Sequence, residues 1–329
     1  MHRALSLIRR RAVSAVPVLL IVVIATFLML EAAPGDAVDA YLLSAGGGDA
    51  ALAATLRAQY GLDQSLLSRL FLYVAALGRL DLGWSVAFER PVLDLVRERL
   101  PATLLLMGSA TALSFGLGSL LGVVAGSRPG SLRDRALSVG ALTLYAVPGF
   151  WLGLVLVLVF AVALRWLPIA GLETIASGKH GLGRALDIAR HLVLPVAALG
   201  FIYLALFLRV MRASMAEVWR QDFVLAARAK GLGRRRIVWR HVVRAALLPL
   251  VTVLGLQSAG MLGGSVVIES VFAIPGFGRL AQEAVAGRDA PLLIGIILTS
   301  AVLVILVNLL VDILYAFLDP RIGASEASA

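Results

Sequence analysis

Six apolar runs separated by polar and charged stretches dominate the pattern of this chain, at about residues 12–30, 101–125, 136–164, 191–210, 246–268 and 292–317. A bilayer core of about 30 Å takes roughly 20 helical residues to cross, and open strands leave backbone groups unpaired in hydrocarbon. The pattern therefore predicts an all-α polytopic membrane protein with six transmembrane helices. Proline and glycine punctuate the runs. Pro17 falls inside the first, Pro101 opens the second at a first-turn position, and Pro148-Gly149 should kink the third unless neighbours satisfy the freed carbonyl. The fifth carries Gly255, Gly260, Gly263 and Gly264 with Ser258 and Ser265, so it is expected inside the bundle or along a pathway, where small residues let helices approach.

The polar stretches set the orientation. Arg3, Arg9, Arg10 and Arg11 precede the first run, whose 19 residues exceed the apolar core of a signal peptide, about 7–15 residues. Residues 1–33 thus read as a cytoplasmic N-terminus and an uncleaved first span. Residues 34–100 form an extracytoplasmic excursion with six Arg against eight acids. Apolar residues recur there at helical spacing over Leu52–Tyr60 and Leu66–Leu77; the second segment, interrupted by Arg69, is too short to cross and predicts an interfacial or packed amphipathic helix. Residues 101–317 hold the other five spans, with a polar segment at 211–245, and 318–329 form a tail. Six spans put both termini and the segments 127–135 and 209–245 on one side, which carries 18 Lys and Arg against 12 on the other, although the opposite loops are longer. That bias places this side in the cytoplasm.

Composition narrows the chemistry. At 60% hydrophobic and 15% charged residues the chain does not bury one soluble core, and its net charge of +10 sits mostly between spans, where orientation rather than nucleic acid explains it. Zero cysteines removes disulfides, thiolate metal sites and cysteine nucleophiles. No phosphate-binding Gly-x-x-x-x-Gly-Lys-Ser/Thr loop occurs, Gly178-Lys179 being followed by His180, and no protease or hydrolase motif appears. Neither ATP binding nor an enzyme active site is expected on this chain. His180 and His191 are 11 residues apart, without carboxylates at ligand spacing, and make a poor metal pair. Asn308 and Asp312 share one face of the last span. A carboxylate there would serve an ion-coupled carrier, but Asp312 lies near enough to the inner end to reach interfacial water or an Arg, and that structural reading is preferred. Glu269, at the outer end of the fifth span, reads as an anchor or gate residue.

Charge is densest at 209–245, which holds ten of the 30 Lys and Arg. Asp222 is a good N-cap there, Phe223–Lys230 can make two helical turns, and Gly231 suits the left-handed position past a helix end. The result is a helix roughly 12 Å long. Held between two spans, it reads as a docking element that passes force to the membrane domain; a topology signal, or a basic segment lying on anionic lipid, fits the same composition.

Residue motifs add a resemblance. AARAKGL at 226–232 followed by RHVVRAALLP at 240–249 is similar to the cytoplasmic loop of ABC importer permeases of the dipeptide, oligopeptide and nickel branch, of the B type. APGD at 33–36, GLD at 61–63, DLGWS at 81–85, RLPAT at 99–103, YAVPGFWLG at 145–153, LVLP at 192–195, VFAIPGFGRL at 271–280 and LVDILYAFLDPRI at 310–322 resemble the same branch. Two departures from the widespread permease pattern stand out. Leu225-Ala226-Ala227 replaces Glu-Ala-Ala, and Pro249 follows Gly231 by 18 residues rather than 13, the longer spacing of the peptide branch. The resemblance implies a type I ABC importer permease fold in a bacterial inner membrane, working by alternating access on short peptides, with nickel or another small solute as the alternative cargo. It implies as partners a homologous second permease, two ABC ATPase subunits that hold ATP and Mg, an extracytoplasmic substrate-binding protein and membrane lipid. It makes Asp222, Phe223, Ala226, Ala227, Arg228, Lys230, Gly231 and Leu232 the ATPase-coupling contact. Pro148, Gly149, Gln257, Ser258 and Glu269 are candidates for the pathway or its gate.

Overall fold

A computed structural model of the protein describes residues 2–32, 35, 38–39, 42, 50–59 and 61–318. Ala33, Pro34 and Asp36 of the APGD stretch, Tyr60, and the tail 319–329 with Asp319-Pro320-Arg321 lie outside the described residues. The helices are α1 His2–Glu31, α2 Ala50–Gln59, α3 Leu66–Leu77, α4 Val92–Ser127, α5 Leu132–Ala146, α6 Gly149–Leu156, α7 Leu182–Val218, α8 Asp222–Ala229, α9 Arg234–Ile237, α10 Val243–Val271, α11 Phe277–Ala286 and α12 Ala290–Leu318. Wider π-helical turns continue α6 over Val157–Ala163 and join α9 to α10 over Val238–Val242. Strands β1 Trp84–Ser85 and β2 Arg90–Pro91 pair antiparallel. Among the described residues five helices are long and apolar enough to cross a membrane, and the bent pair α5–α6 makes a sixth if counted as one span.

The structure departs from the sequence expectations at several ends. α4 starts at Val92, which puts Pro101 inside the helix and not in its first turn. Between Ala146 and Gly149 the third span breaks by 99°, more than a proline kink. Val147 is extended, at φ −83° and ψ 127°, as a residue before proline prefers, and Pro148 caps the next helix. α7 runs eight residues past the expected end of the fourth span, to Val218. The Gly/Pro-rich stretch 271–280, read from the sequence as an outer loop, leads into α11.

The described residues divide into two compact units. One comprises Met1–Thr103 and Pro275–Leu306. Its core joins Val92, Leu95 and Val96 to Phe277, Leu280, Ala284, Leu292 and Ile296. Asp289 is buried beside it and accepts hydrogen bonds from Ser85 Oγ at 2.6 Å, Ala87 N at 3.0 Å and Leu292 N at 3.1 Å, so one carboxylate caps α12 and fixes the β1–β2 turn. α3 is capped by Ser65, whose hydroxyl accepts from Ser68 N, and it is tied to α1 by Arg69, 2.8 Å from Glu31 and 5.8 Å from the ring centre of Phe27. Leu67 and Phe71 stay exposed, so this helix is packed against α1 along one edge only.

The second unit comprises Leu104–Ile274 and the chain from Val307 onward. Gly118, Gly122 and Gly126 recur every fourth residue on α4, and a Cβ on each would come within 3.0 Å of α7 at Leu204 O, Met211 Cβ and Met215 Cβ. That stripe lets the two helices lie almost backbone to backbone. α10 meets α12 where Gly255 faces Val311 and Asn308 and where Tyr315 Oη donates to Leu248 O at 2.9 Å.

Candidate functional site: a short basic helix and its clamp

α7 ends at Trp219, and Gln221 takes an extended conformation, φ −79° and ψ 146°, that turns the chain into α8. Gln221 therefore occupies the N-cap position without a side-chain cap bond, while Asp222 is the first helical residue. This corrects the expected cap, although a carboxylate in the first turn still favours the positive end of the helix. The other end follows expectation. Gly231 is left-handed at φ +72°, its N–H donates to Arg228 O at 2.9 Å, and Leu232 N donates to Ala227 O at 3.3 Å. Those two bonds form a Schellman motif, which leaves the last carbonyls of α8 satisfied.

Two turns of helix do not hold themselves together in water. α8 is kept by its inner face. Val224 is fully buried and Ala227 nearly so, in a core with Val123 of α4, Phe207, Met211, Met215 and Val218 of α7, and Ile237–Leu250 residues of α9 and α10, while Leu232 packs on its edge. Trp219 is the clamp. Its indole N–H donates to Gly126 O at 2.9 Å, and the guanidinium groups of Arg228 and Arg234 stand 4.9 and 5.4 Å from its ring centre. Arg234 also donates to Ser127 O. One aromatic ring thus fastens both ends of the basic segment to the end of α4. A second fastening lies nearby: buried Asp134, behind the Ser131 cap of α5, accepts from Arg212 Nη2 at 2.9 Å and Gly130 N at 2.8 Å, and pairs also with Arg212 Nε.

The outward face of α8 presents Asp222, Phe223, Leu225, Ala226, Arg228, Lys230 and Gly231 to the surroundings. Of the expected contact residues, Ala227 turns inward and supports this face, and Leu232 is half-buried. Gly233, Arg234, Arg235, Arg236 and Trp239 line a shallow hollow beside it. A basic, apolar-centred surface on a helix clamped to two long helices can transmit displacement; it holds no group arranged for bond chemistry. The sequence pointed to Asp222–Leu232 but not to Trp219, Val224 or the Asp134–Arg212 pair. The spacing of Val224, Ala227 and Leu232 was the available signal for the inner face.

The pathway candidates lie elsewhere. Pro148 and Gly149 form the corner of the broken span, and a Cβ on Gly149 would sit 2.6 Å from Ile202 Cδ1 of α7. Gln257 is half-buried on α10, with Oε1 3.5 Å from where a Gly260 Cβ would be. Ser258 is helical, and its side chain lies outside the described residues. Glu269 is fully buried at the end of α10, and Asp312 is half-buried and engaged within the chain. His191 Nδ1 donates to Asp187 O at 2.8 Å, an ordinary i to i−4 bond.

Comparison with known proteins adds the following. The family model described as "Binding-protein-dependent transport system inner membrane component" matches residues 118–324, and the model of the corresponding N-terminal component matches residues 4–107. The di/tripeptide transport system permease protein DppB of Pseudomonas aeruginosa is 37% identical over 334 residues, covering 97% of this chain and 98% of its own. The oligopeptide transport system permease protein AppB of Bacillus subtilis is 36% identical over 318 residues, covering 95% and 98%. Among solved structures, a chain of the MetNI methionine ABC transporter in an inward-facing conformation matches at a TM-score of 0.54 and 17% identity, covering 68% of this chain and 96% of that one. This last likeness is one of fold.

Proposed function

The chain belongs to the family of binding-protein-dependent transport system inner membrane components, as a multi-pass permease of the ABC importer class with the type I fold, and on that premise we propose that its cargo is short peptides. The cargo reading is carried by one observation: 36–37% identity along 95–97% of the chain to permeases of a di/tripeptide and an oligopeptide system.

Family membership implies ATPase and substrate-binding partners. α8 is the element suited to meet the ATPase, because its exposed face is basic and its buried face is continuous with α4, α7 and α10. ATP and Mg belong on those partner subunits, whose closure would move α8 and so bias the membrane helices between inward and outward openings. A homologous second permease is supported by the bare face of α10, where Thr252, Leu256, Ala259, Gly263, Val267 and Ser270 are exposed in succession and Leu256 is 73% exposed. The excess of Lys and Arg on the α8 side argues for both termini in the cytoplasm.

The test is ATP-dependent uptake of labelled dipeptide, longer peptide and nickel in cells with and without the gene. Loss of peptide uptake alone supports the reading and gives the size class. Loss of nickel uptake, or of neither, refutes the cargo and leaves the architecture.

A further inference from the structure

Two arginines one turn apart on α7 stand in opposite circumstances. Arg212 is held by the buried carboxylate of Asp134. Arg209 has its guanidinium 4.5 Å from the ring centre of Tyr145, and its Nε is buried with no hydrogen-bond partner among the described residues. Side chains on a helix lean toward its N-terminus, so the Arg209 head group points away from Val218, the inner end of α7. Its Cα is already nine residues, about 14 Å, from that end. At 37 residues, about 55 Å, α7 outruns a bilayer core, and Arg209 stands at the inner end of the predicted span 191–210 with its head group turned toward that span.

Its surroundings are those of a disrupted wall. Tyr145, half-exposed, stands three residues before Pro148, where the span breaks by 99°. The corner rests on α7 at Ile202, and the next residue, Tyr203, extends its hydroxyl to 3.4 and 3.6 Å from the positions that a Cβ would take on Gly260 and Gly264 of α10. Gln257 Oε1 reaches the same place on Gly260. A cation, two phenols and a carboxamide are thus gathered along about 10 Å of α7 beside a helix break and a run of bare glycines. A buried guanidinium nitrogen without an acceptor is costly, and the face of one tyrosine compensates only part of it. The arrangement calls for an anion that accepts a fork of N–H donors.

Resting on the peptide reading above, we propose that Arg209, backed by Tyr145, binds the C-terminal carboxylate of the peptide during its passage through the membrane. A free peptide brings that carboxylate with it, and the broken span gives the guanidinium a side open to cargo. The site reads the peptide terminus at the permease, after release by the binding protein.

The experiment compares a labelled dipeptide with its C-terminal amide in proteoliposomes holding the whole complex, at concentrations that saturate the binding protein with either. ATP-dependent uptake is measured for wild type, Arg209→Gln and Arg209→Lys. Because every complex uses the same binding protein, the acid-to-amide ratio, compared between variants, cancels its preference. Arg209→Gln is expected to lower that ratio roughly tenfold, as befits loss of a charged hydrogen bond, with amide uptake little changed. Arg209→Lys, which keeps the charge but not the fork, should give an intermediate ratio, and it decides the question if the glutamine variant does not assemble. An unchanged ratio in whichever variant assembles, with both peptides slowed alike, overturns the site and assigns Arg209 to lipid, to a neighbouring subunit or to folding. A wild-type complex that carries neither peptide but does carry nickel refutes the cargo reading itself, and the site with it.

Discussion

Replacing Gly231 separates two ways in which the basic helix can matter. The residue sits at φ +72°, and a Cβ built on it meets nothing within 4 Å. Inside this chain a side chain there suffers no clash, and the cost is in the backbone: about 1–2 kcal/mol for an L-residue in the left-handed region, least for Asn and most for a β-branched residue. Against it stands the seating of α8, chiefly the buried Val224, at about 1.5–3 kcal/mol. Alanine thus consumes about half the holding energy of the helix, and valine most of it. Since about 1.4 kcal/mol is a factor of ten, opening of the last turn rises about tenfold with alanine and more with valine. The melting temperature of the whole protein should barely move, because the loss is local. In reconstituted complexes the expected order of peptide uptake and of its coupling to hydrolysis is Gly, Asn, Ala, Val, with Gly231→Val hydrolysing ATP without responding to loaded binding protein. Normal substrate-stimulated hydrolysis and uptake by Gly231→Val would refute the reasoning. An order set by side-chain bulk, with Asn as poor as Val, would replace the backbone cause by close approach of the ATPase.

Three further outcomes follow from the same clamp. Val224→Ala should weaken the seat of α8 by about 1.5–3 kcal/mol, raising hydrogen exchange over residues 222–232 tenfold or more; unchanged exchange would show that the helix is held otherwise. Lys230→Glu should reduce co-purification of the ATPase subunits, and more interpretably than Arg228→Glu, since Arg228 also stacks on Trp219; full recovery of the ATPase with the Lys230 variant would count against α8 as the docking face. Asp134→Asn leaves Arg212 without its carboxylate. Because the Arg212 side chain is 40% exposed, the cost is discounted from the fully buried case to about 1–3 kcal/mol, a fall in melting temperature of about 2–6 °C. A melt within a degree of wild type would mean that solvent replaces the pair.

What the sequence made legible follows from which forces act locally. Span positions came from run length, since a helix in hydrocarbon must satisfy its own backbone. The left-handed Gly231 and the extent of α8 were readable within a residue, because capping is written in neighbouring residues. Asp222 misled at the cap because its fitness for that position does not decide it; the extended backbone is at Gln221, set by the turn out of α7. The early start of α4 was hidden because Val92–Leu100 is amphipathic, with Val92, Leu95 and Val96 inward, and disappears in an average over hydropathy. α11 was missed for the same reason, although Phe277, Leu280 and Ala284 carry its spacing between glycines and prolines that read as a loop.

The break at Pro148 and the solitary Arg209 were beyond local reading, and for related reasons. Proline predicts a lost hydrogen bond, not an angle. The 99° corner needs the close contact of Gly149 with Ile202, which only the neighbouring helix supplies. Likewise Arg209 and Arg212 are the same residue type one turn apart, and nothing in their spacing says that one meets Asp134 and the other the face of Tyr145. The difference lies in where α5 bends away from α7: its first turn brings Asp134 to Arg212, and its last brings Tyr145, just ahead of the break, to Arg209. The feature that disrupts the span therefore also leaves one cation without a carboxylate among the described residues. This is why the broken helix and the unpaired guanidinium are best treated as one site, to be altered and tested together.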